Sequence, residues 1–476
     1  MRRRSLTGPL MLLLIGGLFL WHNLHPEAPL FDIVSQYWPF ILIGWGLLRL
    51  IEVLFSSDEG WRGSFTGGEV VLVVMMCFAG LAIFQARQYG IRFNTGGLQW
   101  FGEQYDYPVS ANATATGMKR IVFENPRGNI KVTGGDVQQV TVNGHKYVRA
   151  YNRRDADVTN GVTPVEIVPQ GDQLLIRSNQ DRAPDNQRVS DDLEVVVPRA
   201  LAVEAHGGNS GDFEITDISG GVDLASSHGD VRLEKIGGDA RLDVGRSSVI
   251  RAVDIKGKVD LQGRGSDVEL QNVSGQVTIN GAYDGTLEFK NLAKPLQFEG
   301  ARNTQLNVQS VPGQISMDRS EFTGSGLIGP IKLVTSARDI KMQKFTQSLE
   351  LETQHGDVEL QPGSPVPTID AQSGFGNVVL ILPEKAAFRL EATADRGETV
   401  NDYGTAIVKE MDGHTGILKG NVGNGPEVHL TARRGSIQVR KEGMDADGDG
   451  PAPPQLPQAP KGPKSLKDLK DSEIKM

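Results

Sequence analysis

A short apolar–polar–apolar phrase recurs along residues 222–380 and organises most of the chain. Neighbouring phrases mostly begin about 9 or 10 positions apart, so alternate phrases begin roughly 18 or 19 positions apart. Alternation with a period of two places both apolar residues of a phrase on one face, as in a strand with one buried side. Short strands that recur this regularly predict a repeat architecture, in which each unit buries its apolar face against its neighbours.

Two strands per coil divide the phrases into two predicted stacks, each a parallel sheet with rungs about 4.8 Å apart. The first predicted stack contains Val222, Ala240, Val259, Val277, Leu296, Ile315, Ile331 and Leu349. The second contains Val231, Val249, Val268, Leu287, Leu306, Ile340 and Val358. The step from Ile315 to Ile331 breaks the period, and we expect residues 321–329, with three glycines, to form an irregular rung or bulge there. The predicted fold is therefore all-β, a parallel β-solenoid (β-helix or β-roll) whose two-strand coil takes about 18 to 19 positions of the chain.

Less regular segments flank this ladder and predict the domain organisation. The predicted solenoid domain covers residues 119–440: an N-terminal cap (119–205), regular coils (206–382) and a C-terminal cap (383–440). A solenoid needs such caps because its end rungs would otherwise present open strand edges. Residues 88–118 predict a juxtamembrane linker, and residues 151–163 a polar loop. Residues 441–476, rich in Pro, Gly, Lys and Asp, predict a disordered tail.

Three apolar runs precede the linker. They predict a transmembrane region over residues 1–87 with α-helices at about 6–24, 38–55 and 69–86. A cleaved signal peptide competes for the first run, but no small-residue cleavage site follows it. Arg2, Arg3 and Arg4 place the N-terminus in the cytoplasm, so three crossings put the large domain outside the cytoplasmic membrane. If the third run did not span, the domain would be cytoplasmic.

Composition narrows the function classes. The formal net charge of −9 argues against a nucleic-acid partner, which would need a basic face. The single cysteine, Cys77, lies in an apolar run and offers neither a disulfide framework nor a thiolate metal site. Glycine is abundant, with 57 residues in the chain, and the glycines of the ladder lie at the turns between strands. The 6% aromatic content predicts a core of small aliphatic side chains.

Candidate chemistry on the ladder is weak. The triplets His228-Gly229-Asp230 and His355-Gly356-Asp357 occupy equivalent positions, but seven predicted coils separate them by roughly 30 Å. Gly-Asp pairs are favoured in β-turns, so the triplets predict turns rather than a metal or acid–base site. A polysaccharide-active β-helix enzyme would need stacked carboxylates and aromatic platforms, whereas the outward carboxylates alternate with Arg, Lys, Gln and Thr. Those carboxylates are Asp223, Asp260, Glu269, Glu288, Glu350 and Glu359. We therefore predict a non-enzyme without cofactor, metal or catalytic residues, whose binding residues the pattern leaves unassigned.

The first two apolar runs resemble a known membrane hairpin. The stretch from Gly8 to Leu20 and the segment Tyr37-Trp38-Pro39 with its following glycine-spaced run are similar to the LiaI/LiaF type of bacterial cell-envelope stress modulators. The third run has no counterpart in that hairpin. The resemblance implies a place in the membrane and an envelope-stress role.

A second resemblance covers the ladder. The strand Leu193–Val197 before Pro198, the repeats around Gly211-Asp212 and Gly229-Asp230, and the closing Gly435-Ser436-Ile437 look like the bacterial putative-adhesin β-solenoid family, whose members resemble auto-transporter adhesin heads. This resemblance implies a β-helical or β-roll fold and an extracytoplasmic place, but no known activity.

The functional hypothesis is a membrane-anchored extracytoplasmic module for binding, adhesion or scaffolding at the cell envelope. Its expected partners are the lipid bilayer and envelope proteins or cell-wall or surface polysaccharide. The alternative is a modulator of an envelope-stress pathway that acts through its transmembrane helices.

Overall fold

The structure is a computed structural model that describes residues 102–124, 127–301 and 303–443, with residues 74, 78, 92–94 and 97–99. Apart from Val74 and Phe78, the three expected membrane helices, with Cys77, and the expected disordered tail beyond residue 443 lie outside the described residues. Within the described part of the chain, no helix combines the length and apolarity needed to cross a bilayer.

The described chain is almost entirely β-strand. Its first half contains β1 (Arg92–Asn94), β2 (Gly97–Gln99), β3 (Glu103–Thr114), β4 (Arg120–Glu124), β5 (Ile130–Gly135), β6 (Gln139–Ala150), α1 (Arg153–Val162), β7 (Glu166–Gln170), β8 (Gln173–Arg177), a 3-10 turn (Gln180–Arg182), β9 (Arg188–Pro198), β10 (Ala202–Ser210), β11 (Phe213–Thr216), β12 (Val222–His228), β13 (Val231–Ile236), β14 (Ala240–Ile255) and β15 (Val259–Val273). Its second half contains β16 (Val277–Tyr283), β17 (Leu287–Leu292), β18 (Leu296–Glu299), β19 (Gln305–Met317), β20 (Glu321–Ser325), β21 (Ile328–Thr335), β22 (Asp339–Phe345), β23 (Leu349–His355), β24 (Val358–Pro362), β25 (Ile369–Phe375), β26 (Val378–Leu382), β27 (Phe388–Ala394), β28 (Thr399–Asp402), β29 (Ile407–Asp412), β30 (Thr415–Val422), β31 (Glu427–Arg434) and β32 (Ile437–Lys441).

These strands form two stacks, because the chain passes alternately from one to the other. Stack A runs through β8, β4, β10, β12, the first halves of β14 and β15, β16, β18, the first half of β19, β21, β23, β25, β31 and β27. Stack B runs through β9, β5, β11, β13, the second halves of β14 and β15, β17, the second half of β19, β20, β22, β24, β26, β32 and β28. Away from β19 the pairing within these stacks is parallel, which confirms the predicted parallel β-solenoid.

The core lies between the stacks and follows the apolar–polar alternation. In β13, for example, Val231 and Leu233 are buried while Arg232 is exposed between them. Parallel register repeats this arrangement from rung to rung, so Val222 pairs with Ala240 and Ala240 with Val259, all three buried. The resulting hydrophobic cluster is continuous from Ala115 to Val439 and, beyond the expected small aliphatic side chains, includes fully buried phenylalanines such as Phe289 and Phe322. Burial of this surface is the main stabilising term.

One rung of the solenoid runs backwards. Strand β19 pairs antiparallel with its neighbours in both stacks: Leu306 lies opposite Phe298 in stack A, and Ile315 lies opposite Phe289 in stack B. The prediction that places Leu306 and Ile315 in the opposite stacks is therefore wrong for both residues. The expected bulge at residues 321–329 is also wrong, because this segment contains the regular strand β20. The period breaks because the chain reverses at 300–304 and again at 318–320.

The stacks extend beyond the regular coils expected from sequence. Strands β4 and β5 already lie in stacks A and B, although an excursion through β6, α1, β7, β8 and β9 separates them from β10. At the other end β31 and β32 continue both stacks. The excursion hides the period in the sequence, which is why residues 119–205 resemble a separate cap there.

The N-terminal end is covered by antiparallel strands and the helix. Strand β3 pairs along its whole length with β6, so residues 103–114 of the expected linker belong to the sheet. Residues 153–162 of the expected loop form α1, whose N-cap Asn152 accepts a hydrogen bond from the Asp155 N–H at 2.8 Å. Tyr107 donates to Asp157 at 2.7 Å and so ties β3 to α1. Burial and this hydrogen bond raise the pKa of Tyr107 to about 12.

Candidate functional site

A ladder of side chains caps the turns that enter stack B. The backbone N–H groups of Asp212, Asp230 and Val249 donate to the side-chain oxygens of Asn129, Asp212 and Asp230 respectively, at 2.8 to 3.1 Å. Each acceptor thus satisfies a donor on the next rung, as Asx turns do within a chain. Val249 occupies a ladder position and is 38% exposed, whereas Ile250 is buried. The prediction that Val249 belongs to the buried stack is therefore wrong by one residue.

The same ladder recurs in the second half. Asp357 and Asn377 accept hydrogen bonds from the backbone N–H groups of Asn377 and Ser436, at 2.7 and 3.0 Å. Gly356, before Asp357, has a φ of +125°, and a Cβ there would approach the Arg338 carbonyl oxygen to 2.0 Å. The ladder therefore requires glycine at this position.

The two His-Gly-Asp triplets belong to this ladder, which confirms their interpretation as turns. Asp230 precedes β13 and Asp357 precedes β24, and the connecting pairings run through β14, β15, β17, β19, β20 and β22. Seven rung steps correspond to about 34 Å, so the two histidines cannot share a ligand. Across the described residues, no group of three or more His, Cys, Asp or Glu side chains could hold a metal ion.

The outer face of stack B forms an open groove of about 980 Å³ that crosses the strands from β6 to β17. Its floor is a row of outward side chains in register across the rungs. The charged members of the lining are Lys131, His145, Asp192, Glu194, Asp212, Glu214, Asp230, Arg232, Arg251, Asp267, Glu269 and Glu288. Carboxylates outnumber cations in this set, so the groove is acidic. Two of the outward carboxylates noted in the sequence, Glu269 and Glu288, lie here.

Some opposite charges lie side by side in these outward rows. Lys131 lies 3.1 Å from Glu214 in the groove, and Arg251 lies 3.2 Å from Glu269. The other four outward carboxylates predicted from the sequence lie outside the groove. Asp223, Asp260 and Glu350 lie on stack A, and Glu359 lies on stack B beyond the reversed rung. Glu350 and Glu359 are paired with Lys332 and Lys341 at 2.5 and 3.0 Å. Exposed pairs of this kind stabilise little. Glu269 and Glu288 lie in register on adjacent rungs, but each is paired with a cation, Glu269 with Arg251 and Glu288 with Lys290 at 2.9 Å.

A buried lysine and a buried aspartate lie under α1 at the N-terminal end. Lys146 and Asp191 face each other in the β6–β9 register and are 2% and 1% exposed. Lys146 Nζ donates to the Thr163 carbonyl oxygen, and Gln180 Nε2 donates to Asp191 Oδ2 at 2.6 Å. Burial lowers the pKa of Lys146 and raises that of Asp191, the latter against the opposing effects of Gln180 and Lys146. Asp191 Oδ1 has no hydrogen-bond partner among the described residues.

An aromatic and cationic column occupies the corner between the stacks near the C-terminal end. The rings of His355 and Phe375 are stacked, with centroids 4.8 Å apart and planes 3° from parallel. The Cζ of Arg434 lies 5.0 Å from the Phe375 ring on the following rung. Gly397 stacks on Gly435, so the backbone of Arg396 lies about one further rung along. We call His355, Phe375, Arg433, Arg434 and Arg396 the arginine column.

Sequence reasoning missed the arginine column. Its members are far apart in the chain, since Arg434 and His355 come together only through the pairing of β23, β25 and β31. The available signal was the residue type before each ladder glycine, where His355, Phe375, Arg396 and Arg434 stand. That signal becomes readable only once the rungs are in register.

A family of known proteins matches part of the described chain. Residues 253–440, from the end of β14 to β32, match the family described as Toastrack DUF4097. This match and the two stacks define a β-solenoid as the fold class of the described chain. No curated protein matches the chain.

A search of solved structures matches two proteins to this chain. One is a putative cell adhesion protein from Clostridium sporogenes ATCC 15579, with 8% identity, a TM-score of 0.16, and coverage of 71% of this chain and 100% of that one. The other is a putative adhesin from Bacteroides fragilis NCTC 9343, with 10% identity, a TM-score of 0.14, and coverage of 70% and 97%. At TM-scores this low neither structure carries an argument about function.

Proposed function

We propose that the protein is a membrane-anchored, extracytoplasmic β-solenoid that acts as a non-catalytic binding, adhesin-like or scaffolding module at the cell envelope. The observation that carries the proposal is the form of its surface. The groove on stack B is open and crosses many rungs, and its charged side chains are spread along the rows rather than focused on one point. Such a surface suits an extended partner, whereas catalysis would require converging groups in a closed site.

The place in the cell follows from the N-terminal residues. The apolar runs at about 6–24, 38–55 and 69–86 are each near the length of a membrane helix, and Arg2, Arg3 and Arg4 favour a cytoplasmic N-terminus. Three crossings deliver the solenoid to the outside. The expected partners there are envelope proteins or cell-wall or surface polysaccharide.

The test combines topology with binding. In intact spheroplasts, added protease should cleave within residues 119–440, while a cytoplasmic control protein stays intact. Purified full-length protein in detergent should bind isolated cell-wall sacculi saturably and release no soluble sugar from them. Protection of the solenoid in spheroplasts would overturn the extracytoplasmic role, and sugar release would overturn the non-catalytic one.

The alternative role, modulation of an envelope-stress pathway, is favoured by the hairpin-like run from Gly8 to Leu48. In that case the helices contact a membrane sensor and the solenoid serves as its outside receptor. Deletion separates the two proposals. If residues 1–87 alone restore regulation of the stress response in a deletion strain, the modulator role stands and the binding role is secondary.

A further inference from the structure

The arginine column presents cations that have no carboxylate partner within the described chain. Arg396, Arg433 and Arg434 are all exposed, and no ion pair joins any of them to a described residue. In the same half of the solenoid, Lys332, Lys341 and Arg389 are each paired with a glutamate. The three guanidinium groups are therefore available to an external anion.

Arg434 is also held in place. Its guanidinium group lies over Phe375, whose ring is also stacked by His355. Stacking restricts the orientation of a guanidinium group, which lowers the entropy lost when it binds an oxyanion with two parallel hydrogen bonds. Phe375 is 44% exposed, and an aromatic residue left this open in a chain with few aromatics needs a reason beyond the core.

The neighbouring carboxylates define the shape of the partner. Asp395 and Glu398 lie on either side of Arg396 in the chain and are exposed, and Asp357 uses Oδ1 to accept the Asn377 N–H. On the adjoining outer face of stack A, Glu391 and Glu427 are exposed as well. A flat anionic membrane would meet these carboxylates, whereas a narrow chain lying along the column would avoid most of them.

We infer that the arginine column binds the phosphate or carboxylate groups of an extended anionic glycopolymer of the cell envelope. Arg434 and Arg396 lie on successive rungs, so they bind either two successive anionic groups of the polymer or one group between them. Arg433 lies beside the polymer. The inference rests on the proposed binding function and names the ligand class and one site for it. The acidic groove on stack B is a separate surface and is not part of this site.

The experiment uses the full-length protein in neutral detergent and measures binding of polygalacturonate as a defined polyanion, with dextran as the uncharged control. Wild type should bind polygalacturonate, with affinity that falls as salt is added, and should not bind dextran. The double variant Arg396→Gln/Arg434→Gln should lose at least tenfold in affinity. Phe375→Leu, which frees Arg434, should lose about threefold. Arg389→Gln, an exposed arginine paired with Glu427 at 3.0 Å, is the matched control and should change affinity less than twofold.

Each outcome decides the inference. Equal losses in Arg389→Gln and in the double variant would indicate general charge attraction and overturn the site. Arginine-dependent binding to phosphatidylglycerol vesicles as strong as to polygalacturonate would overturn the glycopolymer in favour of a membrane surface. Thermal unfolding of every variant checks that it is still folded. The affinity of the single variant Arg433→Gln tests the third arginine separately. If polygalacturonate does not bind while sacculi still do, the inference fails and the proposed function stands.

Discussion

Arg338 donates a hydrogen bond to Thr304 Oγ1 at 2.8 Å and thereby joins the two turns that flank the reversed rung. Its Nε donates to the Asp318 carbonyl oxygen, so one guanidinium group holds the turn before β19 and the turn after it. Thr304 is 1% exposed, which means that loss of the arginine leaves polar groups unsatisfied in a dry environment. The backward strand therefore depends on a residue at the entrance of β22, far along the chain from Thr304.

Replacement of Arg338 by Met should destabilise the solenoid. We expect a loss of about 2 to 4 kcal/mol, because charged hydrogen bonds contribute about 1.5 to 3 kcal/mol and orphaned buried groups add to the cost. Urea unfolding of full-length protein in detergent measures it. Arg319→Met is the matched control, since Arg319 is exposed and pairs with Asp284 at 3.1 Å, and it should cost less than about 1 kcal/mol. Equal effects of the two substitutions would contradict the role of Arg338.

Replacement of Gly356 by Ala should also destabilise the fold. The new Cβ would meet the Arg338 carbonyl oxygen at 2.0 Å, and the residue would keep a φ of +125° that L-residues rarely adopt. Strain of this kind costs about 1 to 3 kcal/mol, and the clash adds to it. Gly161→Ala, in α1 and with no atom within 4 Å of the added Cβ, should be neutral or stabilising. A melting temperature for Gly356→Ala equal to that of wild type would show that the rungs can separate to admit a methyl group.

The fold class was predictable because the phrase pattern reports burial directly. Val222 and Leu224 are buried around the polar Asp223, as their alternation implies. The same alternation does not report strand direction, because a strand that runs backwards still buries the same apolar side chains. Leu306 and Ile315 therefore give no sign of the backward rung, and their stack assignment comes out exchanged.

Less of the candidate site was predictable. The turn role of Gly229-Asp230 followed from local turn chemistry, which the sequence contains. The arginine column depends on which residues of different rungs lie side by side. A register error of one residue, such as the one at Val249, is enough to predict the wrong neighbours. Phe375 and Arg434 are distant in the chain because β27 to β30 intervene before β31 rejoins stack A. No local pattern records that insertion.

The turn after the reversed rung should make stability depend on pH. The backbone N–H groups of Ser320 and Glu321 donate to Asp318 Oδ1 at 2.7 and 2.8 Å and lower the pKa of Asp318. A carboxyl whose folded pKa is depressed stabilises the fold above its unfolded pKa, near 3.8, and this contribution is lost as the pH falls through the folded value. Because Asp318 is near the surface, screening limits the contribution to at most about 1 kcal/mol.

The variant Asp318→Asn isolates this effect, since Asn keeps the acceptor oxygen and removes the charge. At pH 7 the variant should melt below wild type, and the difference should shrink toward zero as the pH falls below 3.8 and through the lowered folded pKa of Asp318. Thermal scans at matched ionic strength measure the difference. A gap that stays constant from pH 7 to acid would mean that the carboxylate charge contributes nothing at this turn.

The buried pair Lys146 and Asp191 should behave as a unit. Lys146→Met leaves a carboxylate that is 1% exposed without its cation, and breaking a buried pair in this way costs about 3 to 5 kcal/mol. The double variant Lys146→Met/Asp191→Leu removes both charges and should be more stable than Lys146→Met alone, because the desolvated charge is gone.

The effect of Lys146→Met should also depend on pH. Burial raises the pKa of Asp191, so the penalty of its unpaired charge is full above that pKa and is relieved as the pH falls and the carboxylate takes up a proton. Urea unfolding at pH 7.5 and pH 5 tests both points: the deficit of Lys146→Met should be smaller at pH 5, and the double variant should show no such change. A double variant that loses as much as both single substitutions combined would show that the two side chains stabilise the N-terminal end independently rather than through each other.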